Sequence, residues 1–365
     1  MSGPESRYPL VTCDLRHAEI SLPPPSGVRK AVAAALSDPV RQAPMAGLPE
    51  LRDGLASHLS HQGLPAEAGR IVVTTGASGA IAALVLACTS EGAGVLIPDP
   101  GFPGHRLSIE ALGRRAIRYP MPGREHGLAL AQDLGRTALD AEAMVWLAPH
   151  NPTGEVTSTV LAAAIAKVAR DRKLFLISDE VNSDLCWDRA QPSLLLYSDL
   201  EHSAGVWSAS KSMRLPGARV GWVLTSATIA RKVAQAAWAL TMSAPLPGQL
   251  ACLACLGDYA NIVDESRQYV RKNLTELTYW LSPHFQVRLP AAGSCLWLDI
   301  RPIGLDAEDF ATRLRSSTGV AVWPGEHFGP AGRGHLRISA GTERAVLVEG
   351  LKRMTAFVSD LAHLT

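Results

Sequence analysis

The sequence has almost no excess of charge of either sign, because 35 lysines and arginines are balanced by 34 aspartates and glutamates. Without a broad electrostatic field, the chain is not expected to bind nucleic acid or an anionic membrane. Apolar runs of membrane-spanning length are missing, and the first ten residues lack the basic-then-apolar layout of a signal peptide. We therefore expect a cytoplasmic protein whose partners are small molecules.

Cysteine is also scarce, since six cysteines in 365 residues are too few for a disulfide framework. Cys252 and Cys255 form a lone CxxC in an apolar stretch with a helical pattern. Neither a second ligand pair nor a histidine motif accompanies them, although a zinc site needs such partners. The sequence predicts packing thiols and no metal site.

Short apolar runs alternate with helical patterns through the middle of the chain, which is typical of a mostly parallel sheet covered by helices. Strands are predicted at 70–76, 94–100, 143–149, 174–180, 204–210 and 219–225. Helices are predicted at 49–63, 78–88, 103–112, 157–172, 229–240 and 262–281. The length suits two domains, because single cores stop growing beyond about 250 to 300 residues.

The pattern changes after Asp258 to a long helix followed by a compact α+β unit. The predicted organisation is an N-terminal arm with part of a small domain (1–40), a large domain (41–260) and a C-terminal small domain (261–365). The Pro-rich segment 22–28 is expected to be an extended connector, since consecutive prolines remove backbone donors.

Lys211 follows a predicted strand in the segment WSASKSMRLPGARVGW. An amine can condense with an aldehyde, and burial can lower its pKa enough for it to act as a base at neutral pH. A lone lysine is more often a solvated surface group. Here Ser208, Ser210 and Arg219 favour the functional interpretation, because hydroxyls and a forked guanidinium suit phosphate oxygens.

Asp179 ends an apolar strand in LISDEVNSDLCW, where a carboxylate is costly unless it meets a cation. A protonated pyridine nitrogen is such a cation, and the ion pair keeps the ring an electron sink. Taken alone, this segment fits a structural ion pair or a helix cap equally well.

Two strand-terminal turns complete the set. WLAPHNPTGEV carries Asn151, whose amide can donate to a phenolate oxygen on the same ring, although this segment is also an ordinary turn former. VVTTGASGAIA turns at Gly76, so amides near Ala77 and Ser78 can meet a phosphate at a helix N-terminus. Such turns are common, and the prediction of one cofactor site depends on the co-occurrence of the four segments.

Together these segments resemble the fold-type I pyridoxal-phosphate (PLP) enzymes, and within them the class I and II aminotransferases. The resemblance runs from AGLPELR, which begins at Ala46, to GVAVWPGEHFG and GHLRISAG near the C-terminus. It implies the α/β PLP-dependent transferase fold: a large domain with a mostly parallel seven-stranded sheet between helices, plus a smaller α+β domain. It also implies a homodimer, and two-fold dimers are the commonest oligomers.

The resemblance implies a role for each matching position. Lys211 would hold PLP as a Schiff base and act as the catalytic base, and Asp179 would pair with the pyridinium. Phe102 would stack on the ring, and Arg337, with Asn151 beside it, would bind the substrate's carboxylate. Asn151 would also donate to the phenolate oxygen. The implied phosphate contacts are Gly76, Ala77, Ser78, Ser208, Ser210 and Arg219.

The implied reaction moves an amino group between an L-amino acid and a 2-oxo acid by a ping-pong mechanism. Two positions depart from the family's pattern. Asn182 stands where a tyrosine usually contacts the cofactor, and an amide can donate a hydrogen bond but is no acid of similar pKa. Gln42 stands where a tyrosine often reaches a neighbouring subunit's phosphate.

Other activities remain open at this point. PHNPTG and DEVNSDL also resemble the C–S β-lyase branch of the same fold, and enzymes of this fold cyclise or oxidise amino acids in specialised metabolism. A PLP-binding regulator would need a DNA-binding module, for which neither end has room. A Rossmann enzyme would need GxGxxG, and TTGASGA has the wrong glycine spacing. The substrate side chain stays open, with the following possible contacts: Glu19, Arg41, Arg106, Trp238 and Glu326.

Overall fold

The computed structural model describes residues 11–36, 42–121, 134, 140–187 and 190–362. Arg41, a possible substrate contact, lies outside the described residues. The strands, numbered along the chain, are β1 (Cys13–Asp14), β2 (Ile71–Thr75), β3 (Gly94–Asp99), β4 (Arg115–Pro120), β5 (Ala141–Leu147), β6 (Phe175–Asp179), β7 (Ser203–Ser208), β8 (Val220–Leu224), β9 (Cys295–Asp299), β10 (Val320–Ala321), β11 (Trp323–Pro324) and β12 (His335–Ser339).

Helices separate most of these strands. In chain order they are α1 (Ser26–Ala35), α2 (Pro49–His61), α3 (Gly76–Cys88), α4 (Pro103–Ala111), α5 (Thr159–Asp171), α6 (Ala227–Thr241), α7 (Leu246–Leu256), α8 (Tyr259–Leu281), α9 (Ala307–Thr318) and α10 (Arg344–Ala362). No helix in the described ranges is both long and apolar enough to cross a membrane.

A seven-stranded sheet is the centre of the molecule, with the order β2-β8-β7-β6-β5-β3-β4. β8 runs antiparallel to β2 and β7, while the other neighbouring strands are parallel. Val145 and Trp146 are successive residues of β5, so they point to opposite faces, yet both are fully buried. Burial on both faces is what helices on each side of a parallel sheet require. The predicted α/β fold is confirmed.

The sequence patterns did not predict the edge strand β4 or the helix α1. β4 is the edge strand beside β3, and Arg115 and Arg118 interrupt its apolar residues. Charges on an edge strand oppose pairing with other chains, and they also hide the strand signal. The extended connector predicted at 22–28 is confirmed only through Pro25, because α1 begins at Ser26. A proline just before a helix is tolerated, although a proline inside a helix disrupts it.

A smaller antiparallel sheet follows α8, with the order β11-β12-β9. α9 and α10 pack with it around a separate buried cluster that contains Leu336 and Ile338. Leu15 and Ile20 from the N-terminal segment belong to the same cluster. This packing agrees with an arm that joins the small domain, and the numbered domain boundaries stay predictions.

The carboxyl ends of the parallel strands all reach one edge of the large sheet. The segments that follow β2, β3, β5, β6 and β7 carry most of the predicted site residues. Because β8 is antiparallel, its first residues lie at the same edge, and Arg219 directly precedes it. Ligands of open α/β sheets bind beyond the carboxyl ends of strands, so the fold alone gathers these residues.

Candidate active site

A cavity of about 400 Å³ opens at this edge. Every predicted site residue except Gly76 lines it: Ala77, Ser78, Phe102, Asn151, Asp179, Asn182, Ser208, Ser210, Lys211, Arg219 and Arg337. Residues up to 321 positions apart in sequence meet here, as the contact between Arg16 and Arg337 illustrates.

Lys211 lies on the floor of the cavity, three residues after β7. Its Nζ donates a hydrogen bond to the carbonyl oxygen of Ala18 at 2.7 Å, and Ala18 belongs to the N-terminal segment that packs with the small domain. Burial lowers the pKa of Lys211, and the positive charge of Arg337 acts in the same direction. An amine that loses its proton more readily is suited to nucleophilic and base chemistry.

Asp179, at the end of β6, is 8% exposed and is held by two donors. Its Oδ2 lies 2.9 Å from Nε2 of His105, and its Oδ1 accepts from the backbone N–H of Val181 at 3.1 Å. His105 was not predicted from the sequence as a site residue. A signal existed, because His105 and the buried Ile109 are four residues apart and share the inward face of α4. His105 fixes the carboxylate and leaves it facing the cavity.

A polar cup closes one end of the cavity around the start of α3. Gly76 has φ +71°, and a Cβ there would lie 2.7 Å from Nη2 of Arg219, so only glycine lets the guanidinium approach this turn. The Oγ of Ser208 donates to the Oγ of Ser210 at 2.8 Å. Hydroxyls, a guanidinium and the first-turn amides at Ala77 form a donor set for an anion.

Arg337 lies opposite, on β12. It is 6% exposed, and its Nη2 donates to the carbonyl oxygen of Arg16 at 2.8 Å. Its Nη1 lies 3.4 Å from Oδ1 of Asn151, and its guanidinium lies 4.7 Å from the ring centre of Phe328. Nε is buried without a partner among the described residues. No carboxylate among the described residues pairs with this buried guanidinium, so its unused Nε–H can donate to a carboxylate ligand.

Phe102 forms one wall, at the start of α4. Its loop is tied to the loop after β5 by His150, whose Nε2 lies 2.9 Å from the carbonyl oxygen of Pro100 and whose Nδ1 lies 2.8 Å from Oγ1 of Thr153. Burial lowers the pKa of His150 to about 4. The neutral ring can therefore donate to the Pro100 carbonyl and accept from the Thr153 hydroxyl. These two bonds fix the loops of Phe102 and Asn151 relative to each other.

Asn182 lies between the main cavity and a second one of about 20 Å³. Its Oδ1 is buried and finds no partner among the described residues. The small cavity can hold one water, and Lys211 and Cys295 also line it. The expectation that Asn182 contacts the cofactor stays a prediction.

Each chemical group of PLP has a suitable partner among the residues of the cavity. The cup at Gly76 and Arg219 matches a phosphate, the buried carboxylate of Asp179 matches a cationic ring nitrogen, and Phe102 offers a flat wall. Lys211 supplies an amine, and Arg337 remains for the acid group of a substrate. This combination, on this fold, is that of the fold-type I PLP enzymes.

Known proteins confirm the class. The family Aminotransferase class I and II matches residues 12–354. Over 92% of its length the chain is 28% identical to the arginine–pyruvate transaminase of Pseudomonas aeruginosa, covering 86% of that protein, and 30% identical to the valine–pyruvate aminotransferase of Mycobacterium tuberculosis, covering 88%. A Thermus thermophilus aspartate aminotransferase double mutant superimposes with a TM-score of 0.87 at 27% identity, over 96% of this chain and 92% of that one. The chain belongs to the class I and II aminotransferases.

Glu180 follows Asp179 but points away from the cavity into the protein. It is 2% exposed and accepts hydrogen bonds from the hydroxyls of Ser178 and Ser193, both at 2.7 Å, and from the backbone N–H of Leu194 at 3.2 Å. Burial raises the pKa of Glu180 to about 7 from its ordinary 4.5, although these donors oppose the shift.

The raised pKa predicts a pH-dependent stability. Between pH 4.5 and about 7 the folded chain keeps a proton on Glu180 that the unfolded chain has released. Stability from this group is therefore present at low pH and is lost as the pH rises, by a total on the order of 3 kcal/mol. We expect Glu180→Gln to unfold at a higher temperature relative to wild type at pH 8 than at pH 5. If the unfolding temperatures of the two proteins change with pH in parallel across this range, the prediction is wrong. Glu201→Gln, at an exposed position, is the control.

Proposed function

We propose that this aminotransferase holds PLP in the 400 Å³ cavity, covalently attached to Lys211, and moves amino groups between an L-amino acid and a 2-oxo acid in two half-reactions. The observation that carries the proposal is the meeting of an amine of lowered pKa, a buried carboxylate and two guanidinium groups around one cavity. Bound PLP supplies an aldehyde that captures amines and a ring that accepts electrons.

Each residue of the chain then has a task. Arg219 and the α3 amides anchor the phosphate, and Asp179, held by His105, keeps the ring nitrogen protonated. Arg337 fixes the substrate's α-carboxylate. Lys211 would bind the cofactor's aldehyde, and its free amine would move the proton at the substrate's Cα. Its lowered pKa leaves more of the amine free to accept that proton.

The test is product analysis with purified protein and added PLP. A panel of L-amino acids is incubated with pyruvate or 2-oxoglutarate, and we expect a new oxo acid and the amino acid of the acceptor in equal amounts. Ammonia release without an acceptor would favour elimination, which the replacement of the usual tyrosine by Asn182 keeps as the second candidate. If no amino acid yields either product, the proposal is wrong.

Arg337→Lys should lower kcat/KM for every amino acid by roughly 10- to 100-fold, because an ammonium cannot reproduce bidentate pairing with a carboxylate. The fold should persist, since the lysine can still reach the carbonyl oxygen of Arg16. Steady-state kinetics on three substrates of different side chain measure the loss. Unchanged kcat/KM would place the carboxylate site elsewhere, and Arg313→Lys on the exposed face of α9 serves as the matched control.

A cytoplasmic location and a homodimer, both inferred from the sequence, stay predictions. The exposed side chain of Arg219 and the exposed Gln42 are compatible with a second subunit near the phosphate end of the cavity. Gel filtration with light scattering would measure the oligomeric state directly, and a monomer with full activity would refute the dimer.

A further inference from the structure

The charged side chains that line the cavity can be matched one by one with the groups they would meet. Arg219 faces the phosphate end, Asp179 meets the ring nitrogen, Lys211 meets the aldehyde, and Arg337 meets the α-carboxylate. These four carry the chemistry that all amino-acid substrates share. Among the described lining residues, Arg16 and Glu19 are the remaining side chains with a formal charge, so they are the candidates for contacts with a charged substrate side chain.

Arg16 is already neutralised by its own neighbour. Its Nε and Nη2 donate to the two carboxylate oxygens of Asp14 at 2.9 and 2.6 Å, and its guanidinium lies 5.5 Å from the ring centre of Trp323. Bidentate pairing of this kind occupies the fork that a substrate carboxylate would need. A substrate with an acidic side chain would have to displace Asp14, so Arg16 offers no free positive charge.

Glu19 has no such partner. Its side chain is exposed to the cavity and forms no hydrogen bond or ion pair with a described residue. The backbone that carries it is nevertheless fixed: Ile20 is 4% exposed, and Ser21 N donates to the carbonyl oxygen of Gly341 at 2.8 Å. A Cβ on Gly341 would lie 2.1 Å from the carbonyl oxygen of Glu19, so the two segments are in close contact.

Glu19 is also near the reacting centre. Its predecessor Ala18 accepts the hydrogen bond from Nζ of Lys211, and the negative charge of Glu19 acts on that ammonium. Among the described residues, Glu19 therefore places a negative charge without a paired cation on the wall of a partly enclosed cavity. A carboxylate in that position attracts a cation and repels an anion.

We infer that the preferred substrates are L-amino acids with a cationic side chain, and that Glu19 binds that cation. The inference rests on the proposed aminotransferase function and specifies its substrate class. Trp323 lines the same cavity, but Arg16 already lies over its ring, so the contact with the substrate cation is assigned to Glu19 alone. His17 and His327 also line the cavity, so all assays are run at one fixed pH.

The first experiment compares L-arginine with L-citrulline, which has nearly the same shape but no charge. We expect wild type to prefer L-arginine in kcat/KM by about tenfold or more, and Glu19→Gln to lose most of this preference, as removal of a charge-assisted hydrogen bond predicts. Because the charge of Glu19 also acts on Lys211, the readout is the ratio of kcat/KM for L-arginine to kcat/KM for L-citrulline within each protein. Glu91→Gln, an exposed glutamate between α3 and β3 at the opposite edge of the sheet, is the matched control.

The second experiment measures binding without turnover, by calorimetry on the PLP-loaded protein. Deamino-arginine and deamino-citrulline lack the α-amino group and cannot react. Glu19→Gln should weaken deamino-arginine about tenfold and leave deamino-citrulline unchanged. This readout depends on the side-chain site and not on the chemistry of transfer.

The outcomes separate the two claims. Efficient transamination of neutral or acidic amino acids with no preference for L-arginine would overturn the inference and leave the aminotransferase function standing. An equal loss for charged and neutral ligands in Glu19→Gln would also overturn it, because Glu19 would then act only on structure. Specific binding of deamino-arginine by a protein without transaminase activity would support the site and refute the proposed reaction.

Discussion

Lys211→Ala is expected to reduce transamination by roughly 10⁴-fold or more, because the variant loses both the nucleophile that captures the cofactor and the base that moves the Cα proton. The chain should still fold, since Lys211 contributes one hydrogen bond to Ala18 and no part of the apolar core. We measure the loss of transfer by single-turnover rates with L-amino acids and the loss of covalently held cofactor by its yellow absorbance. The circular dichroism spectrum shows whether the fold persists.

A matched control is available on the surface. Lys272→Ala removes an exposed lysine from α8 and should leave rate, absorbance and spectrum unchanged. A Lys211→Ala protein that retains more than a small fraction of wild-type turnover would mean that another group performs the proton transfer.

Asp179→Asn is expected to have the next largest effect, a loss of roughly 10²- to 10³-fold in kcat, the size seen when a preorganised electrostatic partner is removed. Asparagine keeps the shape and can still contact His105 and the N–H of Val181. It lacks the charge that holds a proton on the ring nitrogen. The loss should therefore appear in kcat while cofactor content, assayed as bound phosphate, stays close to wild type through the cup at Arg219.

The result for Asp179 also tests its supporting histidine. His105→Phe keeps a ring on the inward face of α4 but removes the 2.9 Å contact to the carboxylate. We expect a smaller loss of kcat than for Asp179→Asn. Full activity in Asp179→Asn, with normal cofactor content, would show that this carboxylate only stabilises the fold.

The positions of the central strands and the gathering of the site residues were largely predictable from the sequence. Apolar runs ending in Asp179 or just before Asn151 and Lys211 indicate parallel strands, and parallel strands bring their carboxyl ends to one edge. β4 escaped because arginines on an edge strand break the apolar pattern. The place of Arg219 at this edge can be inferred only when β8 is known to be antiparallel. No local sequence pattern indicates that direction.

Contacts between distant segments were beyond sequence reasoning. The approach of Ala18 to Lys211 and that of Arg16 to Arg337 depend on how the N-terminal segment packs between the two sheets. The hydrophobic periodicity of a helix or strand identifies its buried face, but it does not identify the distant segment that packs against that face. For that reason the sequence left Glu19 unranked among the possible substrate contacts, and only the structure shows that no other described residue pairs with it.

The central claim is that Lys211 carries the cofactor, and one measurement tests it most directly. Wild-type protein is loaded with PLP, reduced with borohydride and digested, and its peptides are analysed by mass spectrometry. The account predicts the mass of reduced cofactor on the peptide that contains Lys211 and no other modified lysine. Stoichiometric modification of a different lysine, with an unmodified Lys211 peptide, would contradict it.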